Sequence, residues 1–252
     1  MNLMTSLRKE VLEMARTSRL IILIAVVGFF GLSSPLLAKY TPEILGFIPG
    51  AEEFAYLIPP PTVLDSIGQY VKNLSQFGIL LALLLAMGMV AQEKERGTAA
   101  MMLTKPLPRG SFLVSKFFAL GMGFTAALAV AALGGYYYTL VLFEALDWGA
   151  WLALNGLLLI QILVYAALTL LFSTLVRSQA AAAGLSLAVL LVFSLLGSLP
   201  VVSRYLPGEL INWGASLFTP TAISAWPALW ISLGIILGSL LLAWGSFRRQ
   251  EL

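Results

Sequence analysis

The densest concentration of reactive side chains in the sequence is the stretch EKERGTAAMMLTKPLPRGSFLVSK, from Glu93 to Lys116. Its charges are Glu93, Lys94, Glu95, Arg96, Lys105, Arg109 and Lys116, interleaved with Gly97-Thr98, Met101-Met102-Leu103 and two prolines. Residues of these types suit contact with a partner better than transformation of a substrate. Gly97-Thr98 can break one helix and cap another. Lys105-Pro106 stops a helix, because the residue before proline avoids the α region, and Ser111 can cap the next one. Ala99–Thr104 is then little more than one turn, an apolar knob of Met101, Met102 and Leu103 ringed by charge. A knob that small cannot bury its own apolar side. It needs the membrane surface or a cleft in another protein, and Met is an adaptable filler for such a cleft. By composition alone, an ordinary positively charged loop of a membrane protein would look the same.

The rest of the chain offers little chemistry. It has no Cys and no His, which removes disulfides, zinc sites built from those ligands and His-mediated acid–base catalysis. No G-x-x-x-x-G-K-[ST] run occurs, so any ATP-driven work needs a second chain. Ser and Thr in the apolar runs have no neighbouring base, so a membrane hydrolase lacks its nucleophile–base pair. Met87 and Met89 are two residues apart and lie on different helix faces, and no paired Met motif faces the outside. Asn155, Gln161, Tyr165 and Thr169 are polar residues within one apolar run, and Tyr136–Tyr138 lie in another. The first four are candidates to line a path or to hydrogen-bond between helices. The chain is expected to be non-catalytic, with no metal or cofactor of its own.

The element that must position the charged stretch is a membrane domain. Only 11% of residues are charged, against 60% hydrophobic, and the mean hydropathy is +0.93. A soluble domain carries about 25% charged residues. The sequence therefore predicts an all-α integral membrane protein in a single domain, residues 1–252. A span takes about 20 apolar residues, and the charges delimit six: 20–38, 73–92, 117–143, 148–176, 178–203 and 228–246. The first has a longer charge-free run than a signal peptide and no A-x-A site, so it is expected to remain. Before the last span, LFTPTAISAWP predicts irregular backbone or a short helix at the outer surface, or a re-entrant element.

With the N-terminus inside, twelve of the fifteen Lys and Arg fall on the inner side, giving an N-in, C-in topology. The basic pI of about 9.2 is then a topology signal, with no nucleic-acid partner needed. Five of the six Trp fall at the outer boundary and Trp244 at the inner one. Residues 1–19 place Leu3, Leu7, Val11 and Met14 on one face, which predicts an amphipathic interfacial helix. The outer loop, 39–72, contains Ile58-Pro-Pro-Pro-Thr62, which cannot be interior helix. Thr62 and Asp65 have capping-box spacing, so the second helix is expected to start near Val63. The loop has the length for a cap, an outer gate or a partner contact. Gly234 and Gly238 form a G-x-x-x-G that suits packing within a subunit or between two.

The charged stretch resembles the first cytoplasmic loop of the type-2 ABC exporter permeases, with its Glu-rich entry, Gly-Thr, short helix, prolines and a Lys opening the third helix. LRKEVLEMARTSRL is similar to the opening helix of that family, and LFTPTAISAW to its Pro-containing segment before the last span. Within the family the likeness is nearest to permeases of the copper-enzyme-maturation type, known from nitrous oxide reductase assembly. The resemblance implies a multi-pass permease subunit of the cytoplasmic (inner) membrane. It implies a homodimer bound to two copies of an ATP-binding cassette ATPase, which holds the ATP and Mg. The loop 93–116 would be a cytoplasmic coupling loop. Glu93, Glu95, Arg96, Gly97, Thr98, Met101, Met102, Leu103, Lys105, Pro106 and Arg109 would make or shape the ATPase contact, with Lys116 helping to anchor the exit. The bilayer and an extracytoplasmic accessory protein complete the set of expected partners. Two rivals stand beside this reading. One is a non-transport membrane scaffold or assembly factor. The other is an ion-coupled carrier, which usually has acids within its spans and often an internal repeat.

Overall fold

The computed structural model describes residues 3–49, 59–95 and 109–249. Among the described residues every regular element is a helix: α1 (Leu3–Arg16), α2 (Arg19–Gly46), α3 (Val63–Met87), α4 (Ala91–Glu95), α5 (Arg109–Leu142), α6 (Trp148–Leu175), α7 (Gln179–Gly197), α8 (Pro200–Ser203), α9 (Glu209–Ser216) and α10 (Trp226–Arg249). Six segments are long and apolar enough to cross a membrane: α2, α3 with α4, α5, α6, α7 and α10. This is the all-α, six-span architecture of a multi-pass membrane protein. The coupling helix expected at Ala99–Thr104 lies outside the described residues.

The helix ends differ from the charge boundaries where a helix simply continues past a charge. α2 runs on through Lys39 to Gly46 with Pro35 and Pro42 inside it. The hydroxyls of Ser34 and Thr41, each just before a proline, donate to the carbonyls of Phe30 and Leu37, a local adjustment that spanning helices use around proline. Lys39 is accommodated over the Phe143 ring, 5.2 Å from its centroid. α3 begins at Val63 as the spacing predicts. The Thr62 N–H and hydroxyl both donate to Asp65 Oδ2 at 2.7 Å. The second span breaks at Gly88, where no charge marks it: α3 ends at Met87, a turn follows, and α4 carries the chain to Glu95; the break expected at Gly97-Thr98 lies outside the described residues.

α6 is the central helix, packed against α3, α10, α9, α7 and α5. The largest fully buried side chains are Trp151, Tyr70, Phe124 and Phe247. Trp151 therefore belongs to the core rather than to an interfacial belt, and its Nε1–H donates to the Ala132 carbonyl at 3.1 Å. α2 and α5 approach closely because small residues face each other. A Cβ on Gly31 would sit 2.5 Å from the Ala131 Cβ, and one on Gly135 would sit 2.7 Å from the Tyr70 ring. Polar side chains tie the apolar helices together. Tyr70 donates to Asn155 Oδ1 at 2.7 Å, Asn73 to Ser34 Oγ at 2.9 Å, and the Ser66 and Thr139 hydroxyls pair at 2.9 Å.

Between α7 and α10 the chain forms the short helices α8 and α9. α9 lies so close to α6 that a Cβ on Gly214 would meet Leu154 Cδ1 at 2.9 Å. LFTPTAISA, residues 217–225, is irregular backbone, closed by the Ile223 N–H donating to Ser216 Oγ at 3.0 Å, and Trp226-Pro227 open α10. A Cβ on Gly234 or Gly238 would meet nothing within 4 Å, so the G-x-x-x-G ridge is unused by packing among the described residues.

Candidate functional site

The site is the end of the bundle from which the charged loop emerges. Two stems flank the loop, α4 before it and α5 after it. The sequence puts a Lys in α5 one helical turn after Phe112, between Ser115 and Phe117, where the helix packs on α1. Lys116 is 2% exposed. Its ammonium donates to Glu93 Oε1 of α4 at 2.8 Å and to Glu10 Oε2 of α1 at 3.1 Å. It also lies 4.8 Å from the Phe112 ring centroid. A buried charge needs partners, and here two carboxylates from two other helices supply them. The Lys9 ammonium reaches Glu10 Oε1 at 3.6 Å and Glu13 at 3.8 Å. The Ser6 and Ser115 hydroxyls pair at 2.8 Å. α1, α4 and α5 are thus locked at one point by a Lys held between two acids.

A second tie joins the loop stem to α6. The Ser173 hydroxyl accepts from the N–H groups of Val90 and Ala91, at 3.1 and 2.9 Å, and donates to the Met87 carbonyl at 2.8 Å. It satisfies the backbone groups that the break between α3 and α4 releases. The Lys94 ammonium donates to the Thr174 carbonyl, at the C-terminal end of α6, and lies 5.8 Å from the Phe247 ring centroid. Phe247 stacks on Phe112 of α5 at 5.6 Å. A Cβ on Gly110 would meet the Trp244 indole at 3.2 Å. The two stems of the loop therefore contact α1, the end of α6 and the end of α10.

The expected site residues fall into three groups. Glu93 and Glu95 are in α4, Glu93 in the clamp and Glu95 exposed. Arg109 opens α5. Arg96, Gly97, Thr98, Met101, Met102, Leu103, Lys105 and Pro106 lie outside the described residues. Of the four polar residues on α6, Asn155 accepts from Tyr70 and donates to the Trp151 carbonyl, and Gln161 accepts from Ser75 at 3.2 Å. Tyr165 lies against Phe193 and lines a cleft of about 310 Å³ between α6, α7 and α9. Thr169 is buried, and its hydroxyl has no hydrogen-bond partner among the described residues.

Sequence reasoning does not single out Glu10 or Ser173, and it gives Lys116 a place at the exit of the loop without the two carboxylates that hold it. The signal for Glu10 was present: Ser6, Glu10 and Met14 recur at intervals of four, and that stripe is the face buried against α5. Of the apolar face expected there, Met14 is buried, while Leu7 and Val11 are half-buried and Leu3 is exposed.

A six-span helical domain with an ion-clamped helix pair flanking a charged loop is the architecture of a multi-pass membrane protein. Comparison with known proteins agrees: the profile of the family described as ABC-2 family transporter protein matches residues 4–252, and the chain belongs to that family. An uncharacterized transmembrane protein, YxlG, of Bacillus subtilis is 30% identical over 99% of this chain and 98% of its own length. The probable ABC transporter permease protein NosY of Pseudomonas aeruginosa is 30% identical over 69% of this chain and 76% of its own. NosY of Stutzerimonas stutzeri is 30% identical over 68% and 75%. The chain is accordingly a transmembrane permease subunit of the ABC transporter type, and membership of that family implies an ATP-binding partner subunit.

Proposed function

We propose that this chain couples ATP hydrolysis by a separate ATPase to export of a substrate from the cytoplasm. Two copies form the membrane domain, N- and C-termini inside, in the cytoplasmic membrane. Each copy receives one ATPase at the loop between α4 and α5. ATP and Mg belong to that partner. The knob of Met101, Met102 and Leu103 seats in a cleft of the ATPase. When ATP draws the ATPases together, the knob moves with them and α4 and α5 carry the displacement inward.

One observation supports this reading above the others. The two stems of the loop are clamped to each other and to α1 by Lys116 between Glu10 and Glu93, beside the Ser173 tie to α6. A loop that merely connected two spans would need no such clamp. The positive-inside balance supports the orientation. Met101→Asp with Met102→Asp tests the joint directly. Two carboxylates forced into an apolar cleft are desolvated without partners, so ATPase affinity should fall at least about tenfold, equivalent to about 1.4 kcal/mol. ATPase stimulation in proteoliposomes should fall with it. Unchanged association and unchanged stimulation would sink the coupling assignment.

A further inference from the structure

Two apolar clefts meet on the outside of α5 at Met122. One, of about 520 Å³, runs between α1 and α5 and is lined by Met4, Leu7, Arg8, Val11, Leu12 and Met122. The other, of about 500 Å³, continues along α5 beside α6, past Phe118, Met122, Thr125, Ala129 and Leu163. Both are open to the side: Met4 is 77% exposed and Met122 is 52% exposed. The groove has a polar mouth and an apolar length. Arg8 is exposed at the mouth and has no ion pair among the described residues. The other cations facing this seam are engaged, Lys9 with Glu10 and Glu13, and Lys116 with Glu10 and Glu93. Along the wall, the Thr125 hydroxyl donates to the Gly121 carbonyl at 2.8 Å, so it presents its methyl group. From Phe118 to Ala129 the helix rises about 16 Å, close to the hydrocarbon depth of one leaflet, half of about 30 Å.

We propose that this groove binds an anionic phospholipid from the leaflet that α1 lies against, its phosphate on Arg8 and one acyl chain along α5 past Met122. Charge complementarity selects the headgroup. A guanidinium forms bidentate hydrogen bonds to a phosphodiester, and a headgroup without an amine leaves the full negative charge for it. The groove's length selects the chain. The lipid fills the gap between α1 and α5 that the Ser6–Glu10–Met14 contact leaves on its outer flank, and so steadies α1 against the clamp. The inference rests on the chain spanning a membrane and not on ATP coupling.

The test uses the full chain, purified in mild detergent without any ATPase, so its outcome is independent of the transport reading. The chain is equilibrated with mixed vesicles of phosphatidylglycerol and phosphatidylcholine carrying identical acyl chains, and retained lipid is counted by native mass spectrometry. The wild type should retain phosphatidylglycerol preferentially. Arg8→Gln should reduce that preference about fivefold, the effect of one interfacial cation. Met122→Trp should fill the groove and lower retention of both lipids. The chain has no Cys of its own, so Thr125→Cys reports on a rival occupant. In vesicles it should form no disulfide between copies. A wild-type preference in Arg8→Gln would overturn the proposal. So would efficient Thr125→Cys cross-linking, which would place a second copy of the chain in the groove.

Discussion

Replacing Lys116 with Met removes the single cation that two carboxylates share. Lys116 is 2% exposed, and its ammonium is 2.8 Å from Glu93 and 3.1 Å from Glu10. Met fills most of the vacated volume, so the loss is electrostatic and not a cavity. Glu10 and Glu93 then lose the one buried cation they share, while Glu10 keeps the more exposed Lys9 at 3.6 Å. Breaking a buried ion pair by removing one partner costs about 3–5 kcal/mol. For a chain of this size about 1 kcal/mol corresponds to 2–4 °C, so the melting temperature should drop on the order of 10 °C. The assay is thermal unfolding in detergent followed by tryptophan fluorescence. The triple variant Lys116→Met, Glu10→Gln, Glu93→Gln leaves no buried charge and should recover most of the loss. It should not recover ATPase stimulation, because the three helices are no longer locked together. A single variant that melts with the wild type, or a triple variant no more stable than the single, would refute the claim that this clamp is a buried, mutually compensated unit.

Three further outcomes follow from the packing. Gly31→Ala forces a Cβ to within 2.5 Å of the Ala131 Cβ and should cost about 1–3 kcal/mol by overpacking, whereas Gly234→Ala, whose Cβ meets nothing, should melt at or above the wild-type temperature. Tyr70→Phe removes the hydroxyl donor to Asn155 Oδ1 and should cost about 0.6 kcal/mol, the average for interhelical hydrogen bonds in membranes, and no more than about 1.7 kcal/mol, read by the same melting assay. Ser173→Ala takes away the acceptor for the Val90 and Ala91 N–H groups. Hydrogen exchange at those two amides should accelerate while the α6 amides keep their protection, and equal protection in both proteins would contradict the stapling role.

The six spans were legible in the sequence because the bilayer makes every crossing segment pay in apolar length, and charges mark where that length ends. The start of α3 was legible too, since Thr62 and Asp65 specify a cap by their chemistry alone. Charge is a poor marker where a helix continues beyond the apolar core. α2 passes Lys39 because the side chain lies over Phe143, and α5 extends back past Lys116 because two distant acids compensate it. Glu10 is 106 residues from Lys116, and single-sequence periodicity carries no information about that pairing. The same holds for Ser173, whose hydroxyl serves a helix break 83 residues away. Gly88 ends α3, and the partner that makes a break there tolerable sits on another helix. The expectation that the loop meets a partner rests on its resemblance to the family and on its Gly-Thr and prolines. The clamp that connects it to the rest of the bundle could be read only from the fold.

The central claim is that this permease is driven through the loop between α4 and α5 by a separate ATPase. The most direct measurement is a gentle-detergent purification of the full-length chain from its native membrane, with every co-purifying protein identified and its stoichiometry determined. The account predicts an ATP-binding cassette subunit at one copy per permease chain, lost when Met101 and Met102 are both replaced by Asp. A chain that purifies, even after cross-linking, without any nucleotide-binding protein would contradict it.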